Sequence, residues 1–184
     1  MSAPTTIRRE LLNARVYFIP SGETVDSVTV DDDTWPDNNP LTNWTNYMIH
    51  DTETIKAEKT YDTETFKIPK AAGGYADDEE NTLKKVVFTG TTAKTSSYFK
   101  KLEHALATVP IVGTAQAPHA SNDDYIEGVA LLEFQNKTGT VTERMQIWAR
   151  LRLADAGEVG PATKKLTYSL ERRDSGNNSY LLVA

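Results

Sequence analysis

Residues Tyr125–Gln135 (YIEGVALLEFQ) are nearly continuous in apolar side chains, and Asn136-Lys137-Thr138-Gly139-Thr140 follows as a turn. An apolar run of this length, bounded by turn residues, is consistent with a strand buried on both faces. From Val141 the pattern changes to alternation. Val141, Met145, Ile147, Ala149, Leu151 and Leu153 fall on one face. Thr142, Arg144, Gln146, Trp148, Arg150 and Arg152 fall on the other. A period of two is the mark of a half-buried strand. The pair reads as a buried strand, a turn and a long half-buried strand.

Working outward, the same signals recur. Leu11–Ile19 ends in β-branched and aromatic residues and stops at Pro20-Ser21-Gly22, a strand and a turn. Val25–Val30 reads as one short strand. Two prolines and four aspartates make Asp31–Pro40 a surface loop. Trp44–His50 reads as extended. Asp51–Tyr61 reads as one half-buried strand, with Ile55, Ala57 and Tyr61 inward and Thr54, Lys56, Glu58 and Thr60 outward. Residues 62–81 are polar, contain Gly73-Gly74 and Asp77-Asp78-Glu79-Glu80, and are expected to form a long inter-strand loop. Loops of that length inside a small domain are uncommon and often functional. Leu83–Thr89, Lys164–Arg172 and Ser179–Val183 are further strands.

One segment reads as helix. Ser96–Leu106 places Tyr98, Phe99, Leu102, Ala105 and Leu106 on one stripe, with Thr95 or Ser96 as N-cap and Pro110 beyond the end. A helix this short has to dock on a sheet. The fold class expected is therefore mainly β: an antiparallel β-sandwich or barrel, one flanking α-helix and a long inter-strand loop, in a single domain over 1–184. Residues 1–42 form an N-terminal arm with an acidic loop.

Composition narrows the chemistry. The chain has 184 residues, no cysteine, three histidines and a net charge of −6. Zero cysteine excludes disulfides, thiolate metal sites and cysteine nucleophiles. An acidic balance argues against a generic nucleic-acid binder, which uses basic patches to neutralise phosphates. No Gly-x-Ser-x-Gly, P-loop or Gly-x-Gly-x-x-Gly pattern occurs, and no histidine has another at ligand spacing. No catalytic residue, metal ligand or cofactor is assigned. The first ten residues lack the apolar stretch of a signal peptide. No segment approaches the roughly 18–20 apolar residues that span a bilayer. A soluble chain with no membrane partner is expected. Twenty-four threonines suit exposed strands.

The arginine face has two readings. In one, Arg144, Arg150 and Arg152 meet cross-strand partners such as Glu133 or Glu171. In the other they form a subunit interface, where Arg and Trp are enriched, and Trp148 on that face favours it.

The order of these parts resembles that of bacteriophage tail tube proteins. Three stretches carry the resemblance. Asn43-Trp44-Thr45-Asn46-Tyr47 through Glu53–Lys59 resembles the opening of the family's tube-forming strand pair. The long segment 62–81 precedes a returning strand and the helix. Gly128–Leu132 through Gln146–Ala149 matches the third part. The resemblance implies hexameric rings, stacked into a tube, in which adjacent subunits extend one another's sheets around a lumen. It implies that Lys67, Ile68, Pro69, Lys70, Tyr75, Asp77, Asp78, Glu79 and Glu80 form an inter-ring loop. Thr54, Lys56, Glu58, Arg144, Trp148, Arg150 and Arg152 are candidates for the subunit interface or lumen. The expected function is that of a structural, non-enzymatic virion protein, a conduit that DNA crosses without specific binding. Its expected partners are further copies of itself, a tape measure protein, and terminator and baseplate proteins. Its expected place is the virion tail, after assembly in the host bacterial cytoplasm. The alternatives are a tail terminator or head–tail joining ring, and a stand-alone β-sandwich module binding carbohydrate or protein through Trp35, Trp44 and Trp148.

Overall fold

The computed structural model describes residues 13–37, 41–53, 55–71, 73–93, 96–115, 117, 124–136, 138–155 and 165–183. Ten strands are present among them: β1 (Asn13–Pro20), β2 (Thr24–Val25), β3 (Val28–Thr29), β4 (Met48–Glu53), β5 (Ile55–Pro69), β6 (Tyr75–Thr92), β7 (Tyr125–Gln135), β8 (Val141–Asp155), β9 (Leu166–Arg172) and β10 (Ser179–Leu182). One α-helix, α1 (Ser97–Glu103), follows β6, and a 3-10 helix spans Leu41–Tyr47.

Eight strands form one antiparallel sheet in the order β4-β1-β7-β8-β9-β6-β5, with β10 also pairing β8. The long strand β8 is shared along one edge. Its N-terminal half pairs β10 through Gln146↔Ser179, and its C-terminal half pairs β9 through Leu151↔Leu170. β4 and β5 stand at opposite ends of the order, yet one residue separates Glu53 from Ile55. Consecutive Cα atoms lie about 3.8 Å apart, so these ends cannot be more than a few ångströms from each other. The sheet is therefore curled on itself, and β4 packs against β6.

The curl creates an interior. Val16 and Phe18 (β1), Ala130 and Leu132 (β7), Ile147, Ala149 and Leu151 (β8), and Leu166, Tyr168 and Leu170 (β9) pack there with Phe88 and Phe99. Burying each large aliphatic side chain contributes about 1.5–3 kcal/mol. α1 closes this interior. Phe99 lies against Tyr168 with ring centroids 5.5 Å apart, and Tyr98 meets Phe18 edge-on at 6.1 Å. Burial, with Tyr47 and Glu23 adding to it, holds the Tyr98 hydroxyl well above its ordinary titration range. Ser96 caps the helix by accepting the Tyr98 N–H at 3.1 Å. The helix stops at Glu103, earlier than the stripe to Leu106 suggests, because Ala105 takes a positive φ of 46°.

A second core lies on the outer face of β1, β7 and β8. Tyr17, Ile19, Val129, Leu131 and Trp148 are covered by Val25, Val30 and Trp44, with Trp35 and Leu41 beside them. The segment after β1 therefore differs from the expected strand and loop. Val25–Val30 is a hairpin of β2 and β3, turned by Asp26 and Ser27 at φ 50° and 66°. Trp44 lies in the 3-10 helix rather than in an extended run. Its indole N–H bonds to the Asp37 carbonyl, and Thr45 bonds back to Leu41.

Two other expectations are corrected. Residues 62–81 are not a loop: nearly all belong to β5 and β6, paired continuously from Ile55↔Gly90 to Pro69↔Tyr75. Polar and threonine-rich strands carry no apolar alternation, which is why they read as loop. The strand expected over 51–61 is two strands, and Ala57 and Tyr61 are exposed. Thr54, residues 1–12 and 38–40 of the N-terminal arm, and His119 lie outside the described residues.

At Gly128 the β1 backbone leaves no room for a side chain on β7. A Cβ there would overlap the Ile19 carbonyl oxygen and lie 2.8 Å from Pro20 Cα. Both are backbone, so the strand pair would have to separate. Gly128→Ala is expected to destabilise the fold by about 3 kcal/mol. Gly176→Ala, which meets nothing within 4 Å, is expected to change stability by less than about 0.5 kcal/mol. Denaturant unfolding of both variants checks this.

Candidate assembly surfaces

β6 pairs β9 only from Val87 onward. Below that point β5 and β6 pair with each other alone and leave the sheet as a two-stranded arm, residues 60–69 and 75–85. Ten residues on β5, opposite eleven on β6, make it roughly 33 Å long. The register slips at its root, where Thr60 faces Lys85 and Tyr61 faces Leu83. Lys84 is the extra residue. Such a bulge bends and twists a strand. At the tip, the Lys70 N–H donates to the Gly74 carbonyl and the Gly73 N–H to the Lys70 carbonyl, both at 3.0 Å, and Gly73 and Gly74 supply the positive φ the turn needs.

The arm is exposed along its length, yet it carries apolar residues. Tyr61, Phe66, Ile68, Tyr75 and Leu83 are 44–67% exposed. Alternation divides them. Tyr61, Leu83, Pro69 and Tyr75 lie on one face, and Phe66, Ile68 and Ala76 on the other. The expected contact residues fall on this arm. Lys67 lies opposite Asp77, Ile68 opposite Ala76, Pro69 opposite Tyr75, and Glu80 opposite Glu64, with Lys70 at the turn and Asp78 opposite Phe66. Glu79 pairs with Thr65 through its backbone. Of the other candidates, Lys56 and Glu58 are exposed on β5 above the root.

The arginine face of β8 is satisfied within the chain. Arg144 Nε donates to Glu133 at 2.8 Å, and Arg150 Nε to Glu127 at 2.7 Å. Arg152 bonds Asp124 and lies 3.9 Å from Glu171. Arg150 and Arg152 both sit over the Tyr125 ring. The Glu127 hydrogen bond raises the Arg150 guanidinium further above its ordinary range. Trp148 is covered as well. Its ring stacks on Trp35, with centroids 6.3 Å apart and planes at 4°. The acidic loop carrying Trp35 is tied down by Gln146 Nε2 to the Pro36 carbonyl and Ser175 Oγ to the Asp32 carbonyl. Trp148 thus lies on the polar face because the folded loop covers it, and it gives no sign of an exposed interface. Trp44 is fully buried, so the tryptophans offer no open stacking platform.

Sequence reasoning missed a charged cleft of about 530 Å³ at the root of the arm. Its walls mix four cations, Lys84, Lys85, Arg172 and Arg173, with five carboxylates, Asp31, Asp32, Glu127, Glu171 and Asp174, beside Ser21 and Trp148. Two basic doublets were visible in the sequence. Only the pairing Val87↔Glu171 sets them side by side. Among the described residues no group of three metal-ligating side chains occurs, and no helix is long and apolar enough to cross a membrane.

Neither a protein-family profile nor a curated protein sequence matches the chain. Solved structures similar to it belong to phage-tail-like particles. One is the tube-terminating cap of the anti-feeding prophage, at 8% identity and TM-score 0.40, covering 100% of this chain and 97% of that one. A second is the sheath/tube terminator of the PVC extracellular contractile injection system, at 8% identity and TM-score 0.38, covering 98% of each. A third comes from the anti-feeding prophage baseplate, at 10% identity and TM-score 0.33, covering 100% and 99%.

Glu133 is 1% exposed and also accepts from the Tyr17 hydroxyl at 3.3 Å. Removing its arginine strands a buried carboxylate. Arg144→Met is expected to cost about 3–5 kcal/mol. Adding Glu133→Gln, which removes the charge and keeps an acceptor for Tyr17, is expected to recover more than half of that loss. Thermal and denaturant melts of the two variants give the comparison.

Proposed function

We propose that the chain is a structural, ring-forming subunit of a phage-tail-like particle. The observation that supports this is the arm. A two-stranded ribbon without further strands is marginal in water. This one also exposes five large apolar side chains. Such a ribbon is built to be covered by another chain. Symmetric rings are the ordinary way for identical subunits to satisfy projecting segments. Hexameric symmetry is part of the proposal.

Within that class we place the chain as a ring that closes a tube, a tail terminator or joining ring. Its partners would be the last tube ring and neighbouring terminator or baseplate proteins, in the virion. The repeating tube ring is the second reading, favoured by the length of the arm. In either reading a net charge of −6 per subunit suits a conduit that repels the phosphates of passing DNA.

Electron microscopy of concentrated protein tests this. Single rings of one height are expected for a closing ring, and long tubes for a repeating one. A strict monomer at every concentration, also when mixed with tube rings, overturns both. Deleting residues 63–80 and joining the stubs with a two-residue turn is expected to leave the melting temperature within about 3 °C, because the arm buries little core. The same deletion is expected to abolish ring formation.

A further inference from the structure

Among the described residues, the large apolar side chains left in water fall in three places: the arm, the β10 edge at Tyr180 and Leu181, and a turn after α1. In that turn Val112 is fully exposed and Ile111 is 68% exposed. The loop carrying them is closed by backbone bonds. The Ala107 N–H donates to the Ala117 carbonyl at 3.1 Å, and the Thr114 N–H to the Ile111 carbonyl at 3.1 Å. Gly113, at φ 80°, supplies the left-handed residue of this tight turn. No Lys, Arg, Asp or Glu occurs between Glu103 and Asp123, the longest such run in the chain. Two adjacent branched apolar side chains at the tip of an uncharged loop form a knob that is stabilised by leaving water.

The lack of charge on the loop decides which surface suits it. Carboxylates covered by this loop lose their water and gain no partner, which is costly. That disfavours the arm face of Asp62, Glu64 and Glu80. On β10, Leu181 and Leu182 lie opposite Arg144 and Glu143. The other arm face ends at the tip in Pro69 opposite Tyr75, both exposed. Behind them Lys67 and Asp77 lie opposite each other, one charge of each sign. Lys70, at the turn, has a stem long enough to keep its ammonium in water. At the root of the same face, Leu83 borders a cleft lined by Lys84, Arg172 and Asp174. The tip is therefore the low-charge apolar end of the arm.

We propose that the Ile111–Val112 turn of one copy packs on Pro69 and Tyr75 at the arm tip of a second copy. Both surfaces are exposed in the single chain, so the contact is not made within it. Because knob and platform are different surfaces, the contact is head to tail, and with a rotation between copies it closes a ring. It is small, well under the roughly 1,000 Å² that a stable pair needs. It therefore strengthens a ring in which every copy makes it and contributes little to an isolated pair. This rests on the ring-forming reading above and names one contact between ring neighbours.

The absence of cysteine makes the test clean. A chain carrying both Tyr75→Cys and Val112→Cys, mildly oxidised at ring-forming concentration, is expected to give a ladder of disulfide-linked oligomers, well above either single variant. Val112→Asp is expected to raise the concentration needed for ring formation at least about tenfold, with an unchanged melt, because the aspartate would lose its water against Tyr75. Adding Tyr75→Arg is expected to restore it to within about threefold of the unaltered chain. Two results overturn this contact and leave the ring-forming reading standing. One is rings that form at the original concentration in the Val112→Asp variant. The other is a Val112→Asp defect that Tyr75→Arg does not relieve, with no cross-linked ladder in the cysteine pair. An unaltered chain that never forms rings overturns the ring-forming reading itself.

Discussion

A single residue separates Glu53 from Ile55, the ends of strands at opposite edges of an eight-stranded sheet. That covalent constraint forces the sheet to curl, and much of the structure follows from the curl. It converts one face of β1, β7, β8, β9 and β6 into an enclosed interior, with α1 and Phe99 closing it. It also places the start of β5 beside the body of the domain, so that the rest of β5 and its partner run outward as an arm. The fold and the projecting surface are consequences of the same connection.

The outer face solves a different problem. β7 is buried on both sides, and β8 on its outer side through Gln146 and Trp148. A curled sheet with one inner core would leave Tyr17, Val129, Leu131 and Trp148 in water. The hairpin of β2 and β3, the loop bearing Trp35 and the 3-10 helix bearing Trp44 fold across them. The acidic residues of that loop stay at the surface while its aromatic residues turn inward. The charged pairs along β8 sit at the edge of this cover. Arg144 to the buried Glu133 is the one whose partner has no access to water.

The arm differs in kind from the rest of the molecule. It is held by its own ladder and its glycine turn, and it displays a Glu64–Glu80 cross-strand pair and exposed aromatic rings. In the body of the domain several charges are paired within the chain: Arg150 with Glu127, Arg152 with Asp124, and Lys85 with Glu171. Charge is also split unevenly along the chain. Residues 1–92 hold 9 basic and 16 acidic side chains, and residues 93–184 hold 11 and 10.

The sequence alone determined the β class, the burial of β7, the inward faces of β8 and β9, the single helix with Thr95 or Ser96 as its cap, and the lack of cysteine chemistry. Each of these is written in local periodicity or composition, where burial imposes a period on the side chains. Only the tertiary structure decided that residues 62–81 are strands, since a ribbon exposed on both faces has no apolar alternation to display. It alone decided that Trp148 is covered by Trp35, that the β8 arginines are internally paired, and that Lys84-Lys85 and Arg172-Arg173 share one cleft. Those facts depend on which strands become neighbours and in what register. Contacts between residues far apart in the chain leave no local pattern to read.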